Sequence, residues 1–146
     1  MNAMYHMFAY EAQVYLVSRI AKEAHLLQYR KETKKPYFTH CENVANRCRK
    51  ISKLHEAVAY GHDLLEETEL TASDLISFGV NDVIVRAIVA LTKIKGESYE
   101  RYLERVKENS IARSVKIEDM LDNLSDCPTN KQVEKYAKGL AFLRDE

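Results

Sequence analysis

Apolar residues recur along this chain at three- and four-residue steps and nowhere in strict alternation, a period that belongs to helices laid on a core and not to sheet. Four glycines and two prolines in 146 residues leave little of the punctuation that a sandwich or barrel needs at its turns. The expected fold class is therefore all-α. A chain of this length can enclose one ordinary core but not two full-sized ones, so a single domain over residues 1–146 is expected.

The periodicity predicts a first helix from about Tyr5 to about Leu27, with Phe8, Ala12, Tyr15, Leu16 and Ile20 facing inward. RKETKKPYFTH then reads as a basic loop, because the residue before Pro36 is biased away from helix. Thr39 and Glu42 have capping-box spacing and predict a second helix there, with Val44, Cys48 and Ile51 on one stripe and His40 in its first turn. A third helix is expected from about Lys53 to about Glu67, carrying Leu54, Val58, Gly61 and Leu65 inward. Thr71 can cap a short fourth helix ending near Gly79, and Asn81 a fifth with Ile84, Ala87, Ile88 and Leu91 aligned. After the turn KIKGES, SYERYLERVKEN is amphipathic with Tyr99, Leu103 and Val106 inward. SIARSVKIEDMLDNLSD follows, with Ile111, Val115, Ile117, Leu121 and Leu124 as its apolar positions and Pro128 as its stop. Thr129 and Gln132 form a second capping box, opening a last helix that runs to about Leu143.

Lysine plus arginine balance aspartate plus glutamate at 22 each, so the broad positive field used to hold a nucleic-acid polymer is absent, and an anionic ligand must be met by a local patch. Cys41, Cys48 and Cys127 form neither a CxxC pair nor an even set, which points to a reducing compartment, with the cytoplasm expected. The opening stretch is apolar, but Glu11, Gln13 and Arg19 interrupt it, so it is expected to be an amphipathic helix and not a signal or membrane anchor.

The chemistry concentrates in AVAYGHDLLEET. On a continuous helix His62 lies over Glu66 and Asp63 over Glu67, one turn apart, so four ionisable groups crowd one broad face. Neighbouring acids repel, and burial makes each unpaired carboxylate costly, a conflict that a divalent cation removes. In VKIEDMLDNLSD, Asp119 and Asn123 share a face in the same way. With His40 these residues make a set of two imidazoles and two carboxylates from three helices, which suits manganese, iron, zinc or magnesium and leaves positions open for water. Taken singly, each member also has an ordinary structural reading as a surface or helix-end residue. Cys41 is expected to pack, since harder ligands already suffice, and Tyr37 and Tyr99 are the tyrosines placed to meet a nucleotide.

In that order, PYFTH, HDLLEET and VKIEDMLDN resemble the motifs of the HD superfamily, particularly the guanosine polyphosphate hydrolases of Rel/SpoT-type alarmone enzymes and their small stand-alone relatives. The similarity runs from about His25 to about Ser125 and takes in HLLQYRK and the LTK of VRAIVALTK. It implies an HD-domain helical bundle in which His40, His62, Asp63 and Asp119 hold a metal, commonly Mn²⁺. Glu66 and Glu67 match the acidic pair that assists water, and Arg30, Lys31 and Asn123 match residues near the nucleotide. Asp122 departs from the usual histidine, and Lys34 and Lys35 replace a glycine-containing turn. The implied activity is removal of pyrophosphate from a small nucleotide, ppGpp, giving GDP. An HD phosphohydrolase for another nucleotide or phosphoester, and a non-catalytic nucleotide-sensing module, are the alternatives.

Overall fold

The computed structural model describes residues 3–145, with side chains from residue 9 onward. Among the described residues nine helices run in the order α1 Ala3–Ala24, α2 Tyr37–Cys48, α3 Lys53–Gly61, α4 Leu64–Glu67, α5 Ala72–Ser77, α6 Asp82–Ala90, α7 Tyr99–Glu108, α8 Ser110–Leu124 and α9 Asn130–Arg144. The described residues contain no strand, only one isolated bridge between Tyr29 and Pro36. No helix among them is long and apolar enough to cross a membrane.

α3 is the hub. Its residues from Glu56 to Gly61 are all buried, and it packs on α1, α2, α6 and α8. Gly61 makes this possible at its end: a Cβ there would stand 2.8 Å from Ile88 Cδ1 and 2.9 Å from Val17 Cγ1. Without that absence α1 and α6 could not close on the point where α3 gives way to His62.

The expected inward face of α1 is turned by about one residue. Ala12 and Tyr15 are exposed, Leu16 and Ile20 only half-buried, and Val17 and Ala21 are the residues with no accessible surface, flanked by Val14 and Ala24. The steps 14, 17, 21 and 24 form the seam on α3, and close approach at Gly61 selects them over bulkier neighbours. The side chain of Phe8 lies outside the described residues.

α2 begins at Tyr37, two residues before the expected Thr39 cap, and Pro36 occupies the N-cap with no side-chain bond. The loop's own backbone replaces the capping box: Tyr37 N donates to Gln28 O at 2.9 Å, and Thr39 N donates to Pro36 O at 3.0 Å. Ile51 lies beyond the helix and is exposed.

The expected helix over 53–67 is interrupted. α3 ends at Gly61, His62 is its C-cap, and Asp63, at φ −107° and ψ 4°, starts the separate α4. In α8 the buried stripe is Ala112, Val115, Asp119 and Asp122, with Met120, whereas Ile117, Leu121 and Leu124 are half-buried. α8 touches α2, α3, α7 and α9, so its apolar residues serve several sides and its acids take the face toward α2 and α3. The Thr71, Asn81 and Thr129 caps form as expected, the first and last as complete capping boxes.

Candidate metal centre

Three chain segments aim the candidate ligands at one point. His40 closes the first turn of α2, His62 and Asp63 fill the break between α3 and α4, and Asp119 projects from mid-α8. The ligand atoms of His40, His62 and Asp119 all lie within 4.8 Å of one another, and all three residues are buried. Asp119 Oδ1 is 2.9 Å from His40 Nε2 and 3.3 Å from His62 Nε2. Asp63 Oδ2 is 3.0 Å from His62 Nε2 and 3.8 Å from His40 Nε2, so it joins the same cluster at its edge.

Surrounding bonds fix these groups. Tyr37 Oη donates to Asp63 Oδ2 at 2.7 Å, Lys116 Nζ to Asp119 Oδ2 at 2.9 Å, and Asn123 Nδ2 to Asp119 Oδ1 at 3.3 Å. His62 Nδ1 lies 2.7 Å from Ala59 O; a carbonyl only accepts, so Nδ1 carries the hydrogen and Nε2 is the atom left for a ligand. That Nε2 is buried and makes no hydrogen bond among the described residues.

The electrostatics follow from this crowding. Burial opposes charge on His62, yet Asp63 and Asp119 together lift its pKa well above that of an ordinary imidazole. Burial likewise opposes charge on His40, and hydrogen bonds to Asp119 and Asp122 outweigh it. Burial alone would raise Asp119, but Lys116 and the two imidazoles hold its carboxyl well below the usual range. Asp63 is lowered too, mainly by His62 acting against burial. The acids thus favour positive charge at this point, which a divalent cation would supply. The residues present fit such a cation: two imidazole nitrogens and two carboxylates, with His62 Nε2 lacking a hydrogen bond and facing only the Asp63 and Asp119 carboxylates, and no thiol among them. Cys41, next to His40, has no accessible surface, and burial pushes its thiol up and away from the thiolate form that metals take.

A cleft of about 730 Å³ opens onto the cluster. Glu66 and Glu67 stand on one wall, and Arg30, Lys31, Lys116 and Lys135 supply cations. Glu66 Oε1 is occupied by the backbone N–H of Lys93 at 2.7 Å, which ties α4 to the turn after α6. Glu67 keeps solvent access, and the desolvation it does undergo on the cleft wall, with the charges of Asp63 and Glu66, raises its pKa.

Arg30 is engaged within the fold, donating to Asn123 Oδ1 at 2.9 Å and pairing with Asp126 Oδ2 at 3.0 Å. Lys35 approaches the same Asp126 at 3.8 Å, while Lys31 is exposed. Lys34 adopts φ 61°, the left-handed conformation that a glycine takes without strain, at the place where the resembled motif carries its glycine-containing turn.

Tyr99 does not line this cleft; it faces a separate cavity of about 490 Å³ between α7 and α9. Tyr136 of α9 lines the cleft instead, together with Lys116, Lys135 and Gln28, all unremarked in the sequence. Lys116 had a legible signal in its three-residue step to Asp119, an i,i+3 ion-pair spacing. Tyr136 and Lys135 had none, since nothing in α9 marks which side meets the cleft.

The structure shows the all-α bundle expected from the sequence, with His40, His62 and Asp119 grouped inside it. Among solved structures the chain is similar to a metazoan ortholog of SpoT, a protein described as hydrolyzing ppGpp and playing a role in starvation responses; the TM-score is 0.74 at 23% identity, over 91% of this chain and 86% of that one. No protein-family profile and no curated protein sequence matches the chain.

Proposed function

We propose that this protein is a metal-dependent phosphohydrolase whose divalent ion, Mn²⁺ in the first instance, is held by His40, His62, Asp63 and Asp119. Its proposed substrate is ppGpp, cleaved to GDP and pyrophosphate. The observation that carries the reading is the convergence of two imidazole nitrogens and two carboxylates, from separate helices, in a cluster whose His40, Asp63 and Asp119 line a cleft with cationic walls. When bound, such an ion lowers the pKa of a coordinated water and polarises a phosphoryl oxygen. The likeness to a ppGpp-hydrolysing protein, together with the PYFTH, HDLLEET and VKIEDMLDN motifs, supports the substrate.

Glu67 is the residue suited to move a proton. It is accessible, stands one turn from Asp63, and has a raised pKa that brings it closer to neutrality, as a general acid or base requires. Glu66 is suited to orient, because its Oε1 is already fixed by Lys93 N. Arg30, held by Asn123 and Asp126, and Lys31 then present cationic donors to phosphate, Arg30 in the planar form that permits bidentate contact.

The test uses metal-stripped protein to which Mn²⁺ is restored, scored for pyrophosphate against phosphate release from ppGpp and a panel of other nucleotides. Pyrophosphate release from ppGpp, lost in Asp63→Ala together with metal binding, is the expected result. Rapid hydrolysis of another nucleotide with ppGpp untouched would remove the substrate and leave the metal site. An Asp63→Ala variant that binds metal and turns over like wild type would remove the metal assignment.

A further inference from the structure

His40 and His62 share one need and meet it differently. A metal-binding imidazole must have its second nitrogen engaged, or the ring is free to rotate and to change tautomer. His62 follows α3, and its Nδ1 reaches back to a carbonyl of that helix, Ala59 O, at 2.7 Å. His40 stands in the first turn of α2, and its Nδ1 turns to a different helix. The partner there is Asp122 of α8, whose Oδ2 lies 2.8 Å away with both residues buried.

α8 therefore grips both sides of one ring. Asp119 Oδ1 faces His40 Nε2 at 2.9 Å, and Asp122, one turn later, takes Nδ1. Asp122 is buried and does not line the cleft. Its other oxygen, Oδ1, faces Arg47 Nε at 3.6 Å, and Arg47 also approaches Glu118 at 4.0 Å. Arg47, Asp122 and His40 thus form a line running inward from the half-exposed flank of α2 to the centre.

We infer that Asp122 is a positioning residue for the metal centre, accepting the Nδ1 hydrogen of His40 so that Nε2 is held toward the cation. The inference rests on the metal reading above. The two bonds are of similar length, but a carboxylate acceptor brings a negative charge that strengthens the bond to an imidazole N–H and makes the ring a better metal donor. It also gives Asp122, which stands where the resembled family has histidine, a task outside the cleft.

The test measures divalent affinity by titration calorimetry on metal-stripped wild type, Asp122→Ala and Asp122→Asn. Melting of each protein in chelator serves as the structural control. Loss of an outer partner to a ligating histidine typically weakens metal binding about 10–100-fold, and that loss is expected for Asp122→Ala. Asp122→Asn, whose amide oxygen can still accept from Nδ1, is expected to fall between Ala and wild type. Nitrogen-15 spectra of the Zn²⁺-loaded protein should show the His40 hydrogen on Nδ1 in wild type and in Asp122→Asn.

Equal affinity in wild type and Asp122→Ala, with only the chelated protein melting lower, would make Asp122 structural and overturn this inference alone. Should the alanine variant fail to fold, the asparagine variant decides: a His40 hydrogen on Nε2 there overturns it. A wild type that binds no divalent cation removes the metal reading, and this inference with it.

Discussion

Replacing Gly61 by alanine sets helix propensity against packing, and the structure decides the sign. In a helix interior alanine is favoured over glycine by about 0.8–1 kcal/mol, and less at a final turn such as this one. Against that gain, the added Cβ would lie 2.8 Å from Ile88 Cδ1, 2.9 Å from Val17 Cγ1 and 3.3 Å from Leu64 Cδ1, where carbon atoms prefer about 3.5–4.0 Å. None of these three neighbours has accessible surface, and they belong to α6, α1 and α4, so relief by one side chain leaves the other contacts in place. Overpacking of a tight core costs about 1–3 kcal/mol, and clashes on two sides place Gly61→Ala in the upper half of that range. The expected net loss is about 1–2 kcal/mol, measured by urea denaturation in chelator, with melting lowered by several degrees. A double-mutant cycle with Ile88→Val checks the cause. That substitution removes the clashing Cδ1, so it should cost about 0.5–1.5 kcal/mol in wild type and distinctly less in the Gly61→Ala background. Gly61→Ala at or above wild-type stability would refute the reasoning, since the junction would then have room to relax.

Four further outcomes are expected. Lys34→Gly relieves a left-handed backbone and should stabilise by up to about 1 kcal/mol in chemical denaturation; a loss would show that the loop's bonds depend on the lysine. Glu97, bonded to Arg105 and to Ile94 N, has a pKa lowered to about 2. A lowered carboxyl stabilises fully above its ordinary value and ceases to do so as pH falls through the folded one, so denaturation midpoints should drop between about pH 4.5 and 2, less steeply in Glu97→Gln. Tyr37→Phe removes the hydroxyl that donates to Asp63 and should weaken divalent binding by about tenfold in calorimetry, whereas unchanged affinity would mean Asp63 is held without it. Chelation should lower the melting temperature and Mn²⁺ restore it, since a ligand at 100 times its Kd stabilises by about 2.7 kcal/mol; identical melting with and without Mn²⁺ would count against the centre.

The helices were legible where local signals set them. Thr71, Asn81 and Thr129 each accept from a backbone N–H of the first turn, a bond made within a few residues and so visible as spacing. α6 was legible for a second reason: its stripe Ile84, Ala87, Ile88 and Leu91 is buried throughout. The reading slipped where polar residues share a helix's buried face. α8 buries two acids and leaves Leu121 half-exposed because it faces α2 and α3 with one side and α7 and α9 with others, which a one-stripe pattern cannot express. The rotation of α1 and the early start of α2 are tertiary in the same sense, set by the approach at Gly61 and by the backbone of the 28–36 loop.

The grouping of His40, His62, Asp63 and Asp119 was legible through motif order, but the sequence argument for why they meet assumed the wrong local geometry. Columns of i,i+4 neighbours require one helix across 53–67, and in that geometry His62 lies over Glu66. The interruption at His62 and Asp63 separates His62 from Glu66, while Asp63, as N-cap of α4, keeps its one-turn step to Glu67. His62 turns inward as a C-cap and bonds Ala59 O, Asp63 is drawn toward Tyr37, and Glu66 moves out to accept from Lys93 N. Neither Tyr37 nor Lys93 is near 62–66 in sequence, so no local pattern could report the break. Its consequence is chemical: a continuous helix would line up all four groups, whereas the break brings Asp63 to the cleft with His62 buried 3.0 Å from it and leaves Glu66 and Glu67 on the cleft's wall, facing the space a substrate would fill.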